Sequence, residues 1–294
     1  MDNHKVKVID SIMGSGKTSW AIQKMKKDEN KRFLYVTPFL NEVRRVLHET
    51  KTKYFKEPKD SEYRTKSDDL KELILNNNNI ASTHQLFKLM DSETIRLLRE
   101  RDYTLILDEV LDVIEQLPLP KREIQAMFRS GVLFVTEEKE EKEKEGTTRG
   151  FLKVYPGKEP DLKKYNQYRE MAKLDRLIYV NDTVLVWLLP IQIFEAFKEI
   201  YNLTYLFDGS LQKAYYDLFF IDYDYYSVMG THNEGFSLVE HDSNIEVTTK
   251  QQIRNKIIIY EGFLNNIGNH KFAFSKRWYQ NLKPKDVKRI RGNI

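Results

Sequence analysis

The sequence predicts an α/β domain with a mostly parallel sheet and helices on both of its faces. Short apolar runs rich in β-branched residues alternate with segments of helical periodicity, as expected for parallel strands joined by crossover helices. At the start of the chain, strand-like residues 5–12 lead into a glycine turn and then into Trp20, Ile22 and Met25 at helical spacing. The continuous apolar run 103–107 is typical of a strand buried on both faces.

The other predicted elements are shorter. Apolar runs and their flanking turn residues predict strands at residues 33–36, 80–82, 184–189 and 203–207. Helices are expected at residues 41–47, 70–75 and 191–201, and directly after residue 87. A strand at 257–260 would be the last of this domain or the first of another. The aromatic segment 215–226 is expected to be a half-buried strand, although its rings could instead stack on bases.

The composition is that of a soluble globular protein. The 294 residues are 31% charged and 40% hydrophobic, and no apolar run approaches the roughly 18 residues of a membrane span. The N-terminus lacks the apolar core of a secretory signal. The absence of cysteine excludes disulfides and thiolate zinc sites and suits a cytoplasmic protein. The six histidines show no metal-ligand spacing.

Charge is spread unevenly along the chain. Residues 251–294 contain ten Lys or Arg and two Asp or Glu, whereas the whole chain has a net charge of only +4. A basic block of this kind can bind phosphate backbones, or it can be a solvated tail. Residues 137–145 hold six Glu and three Lys and predict an exposed helix or a flexible insertion.

The strongest chemical signal is the segment Ser11–Thr18, which reads SIMGSGKT. It matches the phosphate-loop pattern G-x-x-x-x-G-K-[ST] except at the first glycine, which is Ser11. Such a loop points backbone N–H groups at phosphate oxygens, and its lysine and hydroxyl residues reach the β- and γ-phosphates and Mg²⁺. The alternative is a chance glycine turn before a helix. The predicted ATP contacts are Met13, Gly14, Ser15, Gly16, Lys17, Thr18 and Ser19.

A second signal is the Asp108-Glu109 pair, which directly follows the apolar run 103–107. Phosphoryl transfer needs a carboxylate at the metal, and hydrolysis needs a group that orients or deprotonates water. Asp108 fits the first role, together with Thr18 as a metal ligand, and Glu109 fits the second. Both follow a strand, at the sheet edge where open α/β sheets bind ligands. Lys17, Asp108 and Glu109 are therefore the predicted catalytic residues.

With these two signals the chain resembles superfamily 2 helicases, the DExH-like motor ATPases. Residues 14–18 (GSGKT) look like motif I of that family, and residues 108–111 (DEVL) look like motif II. Residues 35–38 (YVTP) and 81–85 (ASTHQ) resemble the two motifs with which the family contacts nucleic acid. Residues 204–211 (TYLFDGSL) stand in the place of motif III, which couples hydrolysis to domain movement, although they lack its Ser/Thr-Ala-Thr triplet.

The resemblance covers residues 5–212 and is nearest to phage-encoded helicases related to viral origin-binding proteins. It implies a RecA-like P-loop ATPase domain over residues 1–250, with an insertion at about 137–180, that uses ATP and Mg²⁺ and acts on nucleic acid, with DNA favoured over RNA. A phage-encoded protein of this kind would lie in the cytoplasm of the host cell. It also implies nucleic-acid contacts at Thr37, Pro38, Thr83 and His84. Ser210 would be the residue that couples hydrolysis to domain movement. The basic segment 251–294 would begin a second RecA-like domain.

One family motif is missing from the 294 residues. The resemblance implies a Q-x-x-G-R-x-x-R motif in a second domain, whose arginines complete the ATP site, and the chain contains none. A second motor domain or a protein partner would have to supply that charge. A nucleotide-dependent DNA-binding protein without turnover therefore stays open as an alternative.

Two further alternatives concern the enzyme class and the threonines. A nucleoside kinase of the thymidine-kinase type also pairs an S-G-K-T loop with Asp-Glu, but it carries a cysteine-zinc element that a chain without cysteine cannot form. Thr37, Thr83 and His84 could be plain helix caps or loop residues, because Thr often precedes helices.

Overall fold

The computed structural model describes residues 6–135, 140–144, 147–157, 163–258, 273 and 275–291. The chain divides into two compact units, residues 1–242 and 243–294, and each is described by itself. In the described residues, no helix is long and apolar enough to cross a bilayer.

The first unit is built on a seven-stranded mixed sheet that is mostly parallel. Its strand order is β13-β12-β1-β11-β4-β2-β3, and all neighbours run parallel except the antiparallel pair β12 and β13. The strands are Val6–Asp10 (β1), Arg32–Thr37 (β2), Ile80–Thr83 (β3), Tyr103–Asp108 (β4), Glu199–Thr204 (β11), Tyr223–Thr231 (β12) and Gly235–Glu240 (β13).

Helices surround this sheet because its central strands are apolar on both sides. Val8 and Leu107 belong to one buried cluster and Ile9 and Ile106 to another, so alternate residues of one strand serve two cores. The helices of this part are Lys17–Lys27 (α1), Leu40–Glu49 (α2), Lys66–Leu75 (α3), His84–Lys88 (α4), Ser92–Glu100 (α5), Gln192–Glu195 (α8) and Leu211–Leu218 (α9). The predicted mostly parallel sheet surrounded by helices is confirmed.

A second sheet lies between β4 and β11 in the sequence. Its order is β5-β10-β9-β8-β6 with β7 paired to β8, and every recorded pairing is antiparallel. Its elements are Ile114–Gln116 (β5), Lys121–Arg129 (α6), Leu133–Val135 (β6), Glu140–Lys144 (β7), Thr147–Pro156 (β8), Asn166–Lys173 (α7), Leu177–Val180 (β9) and Val184–Leu188 (β10). The predicted insertion at 137–180 lies within this larger sheet.

The second unit is helical where it is described. It contains Val247–Lys256 (α10), Lys276–Asn281 (α11) and Pro284–Arg291 (α12). Ser275 begins α11, because its hydroxyl accepts a hydrogen bond from the Trp278 N–H at 3.2 Å. Ile257 and Ile258 have no regular structure, and the other half of the strand predicted at 257–260 lies outside the described residues.

Three local predictions were wrong. The helix expected at 191–201 ends at Glu195, and residues from Glu199 onward form β11 instead. Pairing on both sides, with β1 and β4, overrides the helical periodicity there. The strand expected at 215–226 is the end of helix α9 followed by the start of β12. Residues 140–144 of the charge run form strand β7, and the rest of that run lies outside the described residues.

Candidate functional site

The predicted phosphate loop joins the carboxyl end of β1 to the amino end of α1. Gly14 and Gly16 have φ angles of 81° and 96°, in the left-handed region that favours glycine. Gly16 is also the N-cap residue of α1 and provides no side-chain cap. The first N–H groups of a helix have no acceptor within the helix, and they carry the positive end of its dipole. Positive φ angles at glycines and a helix N-terminus without a side-chain cap are features that phosphate-binding loops share.

Lys17 folds back across the loop. Its Nζ donates hydrogen bonds to the backbone oxygens of Ser11 at 2.6 Å and Ile12 at 3.3 Å, and the side chain is buried. The ammonium is thereby held at the beginning of the loop by two carbonyl groups.

Thr18 and Asp108 meet although 90 positions separate them in the sequence. The Thr18 hydroxyl donates to the Asp108 carboxylate, with its Oγ1 3.2 Å from Oδ2 and 3.4 Å from Oδ1. The Tyr35 hydroxyl, from the neighbouring strand β2, donates to Asp108 Oδ2 as well. Two hydroxyl groups thus fix the orientation of one buried carboxylate.

Burial controls the electrostatics of this carboxylate. It raises the pKa of the Asp108 carboxyl above its ordinary value, and the hydrogen bond from Tyr35 opposes that shift. The nearby charge of Glu109 raises the Asp108 pKa further. Burial and the Asp108 charge also raise the pKa of Tyr35 well above its usual range, so its hydroxyl stays protonated as a donor. A cation next to Asp108 would relieve this unfavourable burial of charge.

Glu109 occupies a strained turn at the end of β4. Its φ is 70°, which is uncommon for a residue with a side chain. Its N–H donates to the Leu203 carbonyl at 2.8 Å, which ties the turn to the neighbouring strand β11. The side chain is half-buried. Strain of this kind is often retained at functional sites, where it aims a side chain.

Ser11, which replaces the first glycine of the motif, has a definite structural role. It is buried, and its hydroxyl accepts a hydrogen bond from the Val228 N–H of β12 at 2.9 Å. The preceding Asp10 accepts hydrogen bonds from the N–H groups of Leu206 and Phe207 at 2.9 and 3.0 Å. These two side chains connect the loop to the segments after β11 and within β12.

The predicted nucleic-acid residues lie at the same sheet edge. Thr37 and Thr83 end the paired strands β2 and β3, and Pro38 is exposed beside them. Thr83 also caps α4, because its hydroxyl accepts from the Leu86 N–H at 3.4 Å. His84 is buried, and its Nε2 lies 3.1 Å from the Asp108 carbonyl oxygen.

The His84 ring is therefore linked to the carboxylate site. Burial lowers its pKa to about 4, so the ring is neutral near pH 7. A neutral ring donates to a carbonyl only from its protonated nitrogen, which places the proton on Nε2. The contact of His84 with nucleic acid stays a prediction, as do those of Thr37, Pro38 and Thr83.

Ser210, the predicted coupling residue, begins helix α9. Its hydroxyl accepts the Lys213 N–H at 3.1 Å, which is an ordinary helix cap. Sequence reasoning missed a more unusual neighbour, Thr204, at the carboxyl end of β11. Its hydroxyl is buried and has no hydrogen-bond partner among the described residues, and it pairs in register with Asp10. The sequence signal that could have identified Thr204 is its position as a polar residue inside the apolar run 203–207.

Tyr35 and Asp10 were also missed. Tyr35 lies in the apolar run 33–36, and a buried tyrosine hydroxyl needs a hydrogen-bond partner. Asp10 is a charged residue at the end of a buried strand. Each of these features could have indicated a buried polar cluster. Neither identifies the groups to which Tyr35 and Asp10 form hydrogen bonds.

The residues present fit a magnesium ion that arrives with a phosphate ligand. Mg²⁺ prefers oxygen ligands and usually takes one or two protein groups, with water and phosphate oxygens completing its shell. Thr18 and Asp108 offer a hydroxyl and a carboxylate side by side. In the described part of the chain, no cluster of three or more His, Cys, Asp or Glu side chains could hold a metal.

Two cavities lie away from this site. One of about 580 Å³ lies near the amino ends of β1 and β11, where Val6 and Ile200 line it. The other, of about 350 Å³, lies between α5 and the segment that precedes β9, and Arg176 lines it. Neither cavity is lined by Lys17, Thr18 or Asp108.

Comparison with known proteins adds one relative. No family model matches the chain. The SPbeta prophage-derived uncharacterized protein YonV of Bacillus subtilis (strain 168) is 37% identical over 302 aligned positions, which cover 99% of this chain and 70% of the relative. Identity of this level along nearly the whole chain shows common descent. The chain therefore belongs to the same family as this prophage-derived protein.

Proposed function

We propose that this chain is an ATPase with a RecA-like P-loop domain, and that it works as a helicase-type motor on nucleic acid. The observation that carries the proposal is the approach of Thr18 to Asp108, with 3.2 Å between the hydroxyl and the carboxylate. Next to Lys17 and the glycine loop, this pair has the composition of a site for ATP and Mg²⁺. The prophage origin of the relative suits a phage-encoded enzyme of DNA replication.

Each residue would have a separate task in hydrolysis. Lys17 would exchange the carbonyls of Ser11 and Ile12 for the β- and γ-phosphate oxygens. Thr18 and Asp108 would hold Mg²⁺, which supplies positive charge for the developing transition state. Tyr35 would keep the Asp108 carboxylate turned toward the ion. Glu109, aimed by its strained turn, would orient and deprotonate the attacking water.

Nucleic acid would bind along the same sheet edge. Thr37, Pro38 and Thr83 lie at the ends of β2 and β3, beside β4 with its Asp108, so hydrolysis and strand contact would share one edge. His84 would link the two, because α4 begins at this residue and its ring contacts the Asp108 carbonyl. The basic segment 251–294 would add sequence-independent phosphate contacts.

A second candidate is a nucleotide-dependent DNA-binding protein without turnover. The observation that favours it is the absence of a Q-x-x-G-R-x-x-R motif from the chain. Without an arginine that stabilises the transition-state charge, the chain could bind ATP but would hydrolyse it only very slowly.

ATP turnover with and without single-stranded and duplex DNA separates these candidates. We expect the parent chain to hydrolyse ATP in a Mg²⁺-dependent reaction that DNA accelerates. Glu109→Gln should keep ATP affinity and lose about 10²-fold or more in turnover, because it removes only the base. Asp108→Asn should instead raise the Mg²⁺ concentration required. Turnover by Glu109→Gln at the parent rate would refute this role of Glu109, and nucleotide binding without any turnover would favour the second candidate.

A further inference from the structure

The β12–β13 hairpin extends past the end of the sheet, beside the phosphate loop. Strand β1 ends at Asp10, and its pairing with β12 reaches only to Tyr226. Strand β12 continues to Thr231 and pairs with β13 throughout that extension. The extension of five residues is about 15 Å long at the usual rise of a strand. It stands next to the loop on the side away from β11 and β4.

Hydrogen bonds connect this hairpin to Ser11, where the loop begins, and to helix α1, which follows the loop. The Val228 N–H donates to the Ser11 hydroxyl at the beginning of the loop. The Gln23 side chain on α1 exchanges two hydrogen bonds with the Phe236 backbone, at 2.9 and 3.1 Å. The hairpin tip therefore has a fixed position relative to the loop.

The Phe236 ring lies directly against Gly16. A Cβ atom at Gly16 would come within 2.2 to 2.8 Å of three ring carbons, so only glycine leaves space for the ring. Phe236 is half-buried, and the exposed His232 meets it edge to face with ring centroids 5.3 Å apart. An aromatic surface thus borders the phosphate loop at the last glycine before Lys17.

We propose that Phe236 and His232 form the platform for the nucleobase of the bound nucleotide. This inference rests on the proposed function. Asp108 and Glu109 lie on the β4 side of the loop, and the terminal phosphates would face them. The rest of the nucleotide must then extend toward β12 and β13, because these strands flank β1 on its other side. Aromatic side chains suit that position, since every base has a face that can stack on them.

The test compares two ligands that differ in the base. ATP with Mg²⁺ carries the phosphates and the base, whereas inorganic tripolyphosphate with Mg²⁺ carries the phosphates alone. Phe236→Ala should weaken ATP binding about tenfold, in line with the loss of one base stack, and leave tripolyphosphate affinity within about twofold. Met229→Ala changes an exposed side chain of the same hairpin and is the matched control.

Two conservative variants keep the test decisive if Phe236→Ala does not fold. Phe236→Tyr retains the ring and should bind ATP like the parent, and Phe236→Leu retains bulk alone and should lose ATP affinity selectively. Equal losses for both ligands would mean that Phe236 only supports the loop, which overturns the inference. Unchanged ATP affinity in Phe236→Ala would overturn it as well. A parent chain that binds neither ligand would refute the proposed function itself.

Discussion

Asp108 is the residue on which the candidate site depends. Its carboxylate is buried at the end of a central strand, and the Thr18 and Tyr35 hydroxyl groups both donate to it. Hydrogen bonds to a buried charge are stronger than those between neutral groups, and the interior leaves such a charge unstable without them. Tyr35 therefore matters as much for the orientation of Asp108 as Thr18 does.

Removal of the Tyr35 hydroxyl should weaken Mg²⁺-dependent nucleotide binding. A hydrogen bond to a charged group contributes about 1.5–3 kcal/mol, but this one already forms without a ligand, so only the part that orients Asp108 toward Mg²⁺ affects binding and we expect a loss of about tenfold or less. We expect this loss in Tyr35→Phe when ATP is titrated with Mg²⁺, and a much smaller loss with EDTA. Tyr103→Phe is the control, because its hydroxyl donates to the Asn78 carbonyl elsewhere. Equal affinities for Tyr35→Phe and parent would contradict this role.

Glu199, at the opposite edge of the sheet, should make stability depend on acid pH. Burial by itself would raise the pKa of this carboxyl, but hydrogen bonds from Lys31, Tyr201 and Lys7 lower it to about 2. The ordinary value is 4.5, so the unfolded chain binds the proton more readily between pH 4.5 and pH 2. The stabilisation is complete above pH 4.5 and is lost as the pH falls through this range.

The pKa difference corresponds to about 3 kcal/mol, which solvent screening of this partly exposed side chain reduces to about 1–2 kcal/mol. We expect Glu199→Gln to lower the free energy of unfolding by about that amount at pH 7 and to differ little from the parent near pH 2. Urea unfolding at both pH values measures it. Glu100→Gln, which breaks an exposed pair with Arg96, should cost about 0.5 kcal/mol or less. A constant difference between Glu199→Gln and parent at both pH values would show that the carboxylate charge is irrelevant.

At the scale of elements, the strands next to the site were predictable and the connections were not. The runs 5–12, 33–36 and 103–107 became β1, β2 and β4, because strands buried on both faces must be apolar throughout. Strand β11 was partly misassigned as helix, since residues 199–201 take their conformation from pairing with β1 and β4. Local periodicity contains no information about such distant partners.

The same reason limits what could be predicted of the site. Two short motifs predicted that Lys17, Thr18 and Asp108 belong to one site, and the structure brings the Thr18 hydroxyl within 3.2 Å of the Asp108 carboxylate. Phe236 was not predicted, because its contact with Gly16 depends on a hairpin more than 200 positions away, which no local pattern connects to the loop.

Arg176 should be essential for attaching the second sheet. Its guanidinium is buried and donates to the backbone oxygens of Lys88, at 2.9 Å, and Met90. Lys88 is the last residue of α4, Met90 lies two positions after it, and Arg176 directly precedes β9. Arg176→Met would leave both carbonyls without this donor, and we expect a loss of about 3 kcal/mol in the free energy of unfolding.

Hydrogen exchange of residues 177–180 would show whether the loss is local, and these amides should exchange faster in Arg176→Met. Lys153→Met, which removes a more exposed contact with Asp175 at 3.1 Å, is the control and should cost about 1 kcal/mol or less. Similar losses in the two variants would argue against a special role of the buried guanidinium.

At the scale of the whole molecule, the two units differ in charge. The net charge of the chain is +4, while residues 251–294 alone contain ten basic and two acidic side chains. If this segment binds phosphates, DNA affinity should fall steeply with salt, because each neutralised phosphate releases a counterion. The contacts would carry little sequence preference.

Replacement of four basic residues tests this directly. A variant with Lys285, Lys288, Arg289 and Arg291 changed to Gln should bind unrelated DNA sequences more weakly and with a flatter salt slope. Its affinity for ATP should be unchanged, because the loop Ser11–Thr18 belongs to the other unit. If the variant keeps the parent affinity and slope, the DNA contacts must be sought near Thr37 and Thr83.

The central claim is that the loop Ser11–Thr18 and Asp108 form a nucleotide site, and Lys17 tests it most directly. The measurement is a calorimetric titration of the parent chain, Lys17→Ala and Lys27→Ala with ATP and Mg²⁺. Lys27 is an exposed residue at the end of the same helix and serves as the control. The account predicts one ATP site in the parent and in Lys27→Ala, and at least about tenfold weaker binding in Lys17→Ala, because a charged hydrogen bond is lost. A parent that does not bind ATP, or a Lys17→Ala variant that binds it equally well, would contradict the account.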